Sequence, residues 1–250
     1  MGAYWTLTRR ELTSYFLSMT GYVIIAAAMF LLGFSFIVLL VKLQNDPTSM
    51  PVTELFYITP FFWLVLLLST PVITMRVFAL EKFSGTFETL MTAPVSDLQV
   101  VLAKFTAAMV FYAVMWLPLL ACLLVVQHYT SDPNALDAGV VASTFIGILL
   151  LGALFVSLGC CASALTRSQV TAVMISLGFG ATLFLLAVLA SQFPVKADWE
   201  AQVLNSLSFF EQMHDFARGV IDTRPVVLYL SLTLFFLFLN LRILESRRWK

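Results

Sequence analysis

Six long apolar stretches govern what this chain can become. They run from Gly21 to Val41, Tyr57 to Met75, Val101 to Val126, Ala138 to Leu165, Val170 to Ala190 and Pro225 to Leu241. A helix rises about 1.5 Å per residue, so about 20 apolar residues carry it across the hydrocarbon core of a bilayer. Each run is continuous rather than alternating at period two, which predicts helices and not the strands of a membrane barrel. The first run follows Arg9 and Arg10 with no small-residue cleavage site and polar mature domain behind it, so it reads as a retained span. The expected fold is all-α and polytopic, one domain over 1–250 with six transmembrane helices.

Composition agrees. The 250 residues are 60% hydrophobic and 11% charged, against roughly 25% charged in a soluble domain. So few polar side chains could not cover a surface in water without leaving large apolar patches. Formal net charge is zero, which gives no reason to expect a nucleic acid partner. Cys122, Cys160 and Cys161 lie within apolar runs and lack the spacing of a metal site, so they read as packing residues.

Lys and Arg set the orientation. With the N-terminus inside, the inner side collects Arg9, Arg10, Arg76, Lys82, Lys104, Arg167, Arg242, Arg247, Arg248 and Lys250. The outer side collects only Lys42, Lys196, Arg218 and Arg224. Both termini are therefore expected in the cytoplasm.

Three segments outside the spans carry their own patterns. In Tyr4 to Phe16, within 1–20, Trp5, Leu12, Tyr15 and Phe16 alternate with Thr8, Arg9, Arg10 and Glu11, which suits a short helix in the inner interface. In the inner connection, 76–100, Phe83, Phe87, Leu90 and Met91 form one stripe at helical spacing, with Glu81, Ser84, Gly85 and Glu88 towards the other side. Pro94 ends that helix, and Ser96 and Asp97 are caps for the next. By periodicity this is equally a membrane-surface helix or a docking element for a soluble partner. In the outer connection, 191–224, Phe209, Phe210, Met213, Phe216 and Val220 form a second stripe, and Gly219 is a helix terminator. So apolar an outer segment is expected to lie on the membrane surface or dip into it, the latter only where protein covers its backbone.

Catalytic chemistry is sparse. His128 and His214 are the only histidines. His214 with Glu211 and Asp215 could imitate a metal or acid/base cluster, but the spacing reads first as the solvated face of an interfacial helix. There is no His-Glu-x-x-His, no Gly-x-Ser-x-Gly and no Walker A sequence. The spans offer hydroxyls and small residues rather than paired ionisable groups, which disfavours ion-coupled transport. Gly152, Ala153, Ser157, Gly159, Cys160 and Ser163 form a small-residue surface, read as close packing rather than the lining of a path. An intramembrane enzyme is disfavoured because no buried His, Asp or Glu is expected.

The inner stretch Arg76, Glu81, Lys82, Gly85, Thr86, Glu88, Leu90, Pro94 and Lys104, together with Phe210, Glu211, Phe216, Arg218, Gly219, Val220, Ile221 and Asp222 before the last span, resembles the ABC-2 type permeases. The likeness is greatest to the subgroup of gliding-motility-associated and nitrous-oxide-reductase-maturation permeases. The resemblance implies a bacterial inner-membrane subunit, with Tyr4 to Phe16 as a connecting helix. It implies docking of a separate ABC ATPase through Glu81, Phe83, Gly85, Thr86, Phe87, Glu88, Leu90 and Met91, with Arg167, Ser168 and Gln169 as a second contact. A second permease copy, or a related permease, would complete the path, and export is the expected direction. ATP and magnesium would belong to the ATPase, with no cofactor in this chain. The rival reading is a membrane anchor or scaffold for a non-transport complex.

Overall fold

The computed structural model describes residues 2–45, 52–87, 95–129, 137–192 and 208–248. Among the described residues the helices are α1 (Gly2–Phe16), α2 (Met19–Asn45), α3 (Val52–Ile58), α4 (Pro60–Thr74), α5 (Ala79–Ser84), α6 (Asp97–Tyr129), α7 (Ala138–Leu165), α8 (Gln169–Gln192), α9 (Phe209–Ala217) and α10 (Thr223–Arg248). No strand occurs among the described residues. Among the described residues six helical segments are long and apolar enough to cross a membrane, and each overlaps one of the six expected runs.

The second run differs most from expectation. Tyr57 belongs to α3, and the helix breaks at Thr59, whose backbone is extended at φ −68° and ψ 138°. Pro60 causes the break, because its ring disfavours helical geometry in the residue before it and it brings no amide donor. The Thr59 hydroxyl occupies the gap, donating to the Phe56 carbonyl at 2.6 Å and sharing a hydrogen bond with Ser35 at 2.9 Å. Pro71 then sits inside α4, where the Thr70 and Thr74 hydroxyls bond back to Leu66 and Thr70 carbonyls.

α7 is the centre of the bundle. It packs against α10, α8, α4, α9 and α6. Its small residues explain why it can. A Cβ on Gly152 would stand 2.1 Å from Cε1 of Tyr112, so only glycine admits that ring. Ser157, Gly159, Cys160 and Ser163 are buried within this same chain. The small-residue surface is thus a packing surface, as expected. Phe62, Tyr112, Trp116 and Leu66 fill the space around it.

The bundle has two polar ends. One, the terminal end, carries α1, α5, the start of α6 and the last turns of α7 and α10. The other, the far end, carries α3 and α9.

Candidate functional site

At the terminal end, α5 is held by its neighbours rather than by its own cap. Its first turn has no side-chain cap. The Ser163 hydroxyl of α7 accepts the amides of Phe78 and Ala79, both at 3.1 Å, and donates to the Met75 carbonyl. Lys82 Nζ donates to the Ala164 carbonyl, meeting one of the carbonyls that a helix end leaves free. Gly85, at φ 74°, terminates α5. A left-handed residue there costs glycine little and other residues more.

That break corrects the continuous stripe expected from Phe83 to Met91. Phe83 and Phe87 lie on opposite sides of Gly85. Phe83 is 78% exposed, whereas Phe87 packs partly against the core with Lys82 Nζ over its ring. Helical periodicity places Phe83 and Phe87 on one face only where the helix between them is unbroken. Thr86 is exposed, and Glu88, Leu90 and Met91 lie outside the described residues.

Glu81 does not stand free on the surface. Lys104 lies 2.9 Å from Glu81 and 3.1 Å from Glu11, and Arg10 lies 3.0 Å from each of the same carboxylates. Lys104 is 3% exposed, so the network ties α1, α5 and α6 together out of full solvent. α5 also packs against both α7 and α8, the two helices flanking Arg167 and Ser168. Arg167 and Ser168 are exposed and Gln169 is half-buried. The residues assigned to ATPase docking that can be placed therefore share one end of the bundle. Phe83, Arg167 and Ser168 are open there.

At the far end, α9 lies alongside α7 rather than capping it. The Ser143 hydroxyl donates to the Phe216 carbonyl at 2.6 Å, the Phe216 ring faces Gly147, and Phe209 meets Phe155 at 6.3 Å between centroids. Gly219, at φ 87°, ends the segment as expected. Phe210 packs on Trp63 at 4.4 Å and on Phe184 at 5.3 Å. Glu211 is exposed.

α9 is joined to α3 by a buried acid that sequence reasoning missed. Glu54 is 1% exposed. Arg218 grips both its oxygens, Nε to Oε2 at 3.1 Å and Nη2 to Oε1 at 3.0 Å, and His214 Nε2 lies 2.9 Å from Oε1. Hydrogen bonding to Arg218 holds the Glu54 carboxyl below its ordinary value, against the opposing effect of burial. Thr53 adds a bond to the Ala217 carbonyl at 2.9 Å and Tyr57 one to the Phe210 carbonyl at 2.8 Å. The expectation that no acid is buried is thus corrected, and His214 turns to Glu54 instead of forming a solvated face with Glu211 and Asp215. The one available signal was a carboxylate inside the apolar run Val52 to Tyr57, which requires a cationic partner.

This constellation is an ion pair in which both Glu54 oxygens are engaged. Among the described residues no group of three or more metal-ligating side chains comes together. Fold and sites together define a six-span helical membrane protein with a pinned short helix at one end and an ion-paired helix at the other. The model of the ABC-2 family transporter proteins matches residues 17–241, and the chain belongs to that family. Its members are membrane subunits of ABC transporters, which work with an ABC ATPase. No curated protein matches the chain.

Proposed function

We propose that this permease forms a substrate path across the bacterial cytoplasmic membrane and couples it to a separate ATPase that docks at the terminal end. That end is then cytoplasmic, in keeping with its excess of Lys and Arg. The observation that carries the reading is the state of α5. It is fixed from behind by Ser163, Lys82 and the Lys104 network, yet its Phe83 ring is largely exposed. An exposed aromatic on a rigid support is the kind of anchor that interfaces use. Arg167, Ser168 and Gln169 form the neighbouring contact, and Glu88, Leu90 and Met91 extend the docking segment.

Docking strain has a route through the molecule. A push on α5 reaches α7 through Ser163 and Ala164, and α7 carries α9 through Ser143 and Gly147. α9 in turn is bound to α3 through Glu54. ATP-driven movement at the terminal end would therefore be felt at the far end, where the path opens outward in an exporter. A second permease copy or a related permease supplies the other wall of the path. The less buried spans α2, α8 and α10 are the surfaces free to meet it. The motif likeness favours the gliding-motility-like subgroup.

Co-purification tests this reading. With the ATPase co-expressed, Phe83→Asp should insert normally but recover at least tenfold less ATPase, on the scale of losing one interface anchor. Undiminished recovery would count against docking through α5.

A further inference from the structure

Arg76 follows the last turn of α4 and donates through Nη1 to the hydroxyl of Thr20, at the start of α2. Among the described residues no carboxylate pairs with it. The nearby Glu11 and Glu81 are instead taken by Lys104 and Arg10. The guanidinium is therefore the surplus positive charge of this corner.

One hollow is lined by Arg76, and a second lies between the two helices that lead to it. Between α2 and α4 runs an apolar groove of about 190 Å³, with Val23, Ala27, Leu31, Val65, Leu68 and Val72 in its walls. Val72 stands four residues before Arg76, in the last turn of α4, and Val23 one turn after Thr20, so the groove points towards the Arg76–Thr20 bridge. A polar pocket of about 290 Å³ opens on the terminal side, walled by Arg76, Ser14, Tyr15, Glu11, Glu81 and Lys104.

We propose that this is a binding site for one glycerophospholipid, with its phosphodiester on Arg76 and an acyl chain in the α2–α4 groove. A free phosphate would leave the groove unexplained, and an uncharged hydrocarbon would leave the cation unexplained. A phospholipid meets both. Arg suits the task because its planar donors match phosphate oxygens and it is weakly hydrated. The position fits as well: Leu17 and Met19, 74% and 88% exposed beside Thr20, suit the border between headgroups and chains. The lipid would brace the junction of α1, α2 and α4 behind the docking end.

Native mass spectrometry on the delipidated full-length chain, titrated with dioleoyl phosphatidylglycerol, tests the site. The unaltered chain should retain one lipid per copy. Arg76→Gln should weaken that binding about tenfold, the loss expected for a charge-assisted contact. Ala27→Phe, which fills the groove and keeps the charge, should weaken it comparably. Arg76→Lys should lose less, and Lys42→Gln, removing a cation at the opposite end of α2, should change nothing. Glycerophosphoglycerol, the headgroup without chains, should not displace the lipid. Helicity by circular dichroism is compared across the set, and Arg76→Lys and Ala27→Phe keep the test open should Arg76→Gln misfold. Equal retention by Arg76→Gln and Ala27→Phe, or loss matched by Lys42→Gln, would overturn the site.

Discussion

The Ser163 hydroxyl of α7 accepts the Ala79 amide at 3.1 Å, so the first turn of α5 is completed by another helix. A short helix of six residues cannot hold itself, since nucleation costs more than its few internal bonds return. α5 keeps its shape because α7 supplies the cap.

Ser163→Ala should therefore act at α5 as well as at its own position. It leaves the buried Phe78 and Ala79 amides without their acceptor, at a cost of about 1–3 kcal/mol. We expect a lower unfolding midpoint in detergent, and limited proteolysis should show faster cleavage near Gly85. A lowered midpoint with unchanged cleavage there would separate α5 from the cap.

The Glu54 pair should show itself in pH dependence. Its carboxyl titrates below the ordinary value when folded, so the pair contributes stability that is present above the unfolded value of about 4.3. That contribution is lost as pH falls through the depressed folded value. Unfolding midpoints of the unaltered chain and Glu54→Gln should differ at neutral pH and converge under acid. A gap that stays constant would mean that the ionised form gives no advantage.

Arg218→Gln removes the cation and leaves the acid buried. Because Arg218 is half in solvent, we expect a loss of stability smaller than that of breaking a fully enclosed pair. The double variant Glu54→Gln with Arg218→Gln should cost less than the two single changes together. Simple additivity in that cycle would show the two residues to be uncoupled.

Two glycines of similar sequence setting should respond oppositely. Gly152→Ala drives a Cβ into the Tyr112 ring and should cost about 1–3 kcal/mol. Gly178→Ala meets nothing within 4 Å and should be neutral or slightly stabilising. Thermal unfolding of both variants checks the contrast.

Much of the architecture was legible because lipid imposes it. Continuous apolar runs mark spans wherever the chain must satisfy its backbone within hydrocarbon, and all six appear. The small residues of α7 were recognisable as a packing surface for a similar reason. The Gly85 break was not, because helical periodicity counts Phe83 and Phe87 as one face without testing the backbone between them. Nor was the Glu54–Arg218 pair, whose members are 164 positions apart in the chain. Lys104 reads in the sequence as an inner-side charge and a motif residue, at the start of the run Val101 to Val126. Its burial depends on Glu11 and Glu81 converging from two other helices, which only tertiary structure specifies.

The most direct measurement places a photo-crosslinking amino acid at single positions in cells that also make the ATPase. Probes at Phe83 and Ser168 should each capture the ATPase, while probes at Glu211 and Val220 should not. Capture from α9 and none from Phe83 or Ser168 would contradict the account, because the ATPase would then sit at the far end.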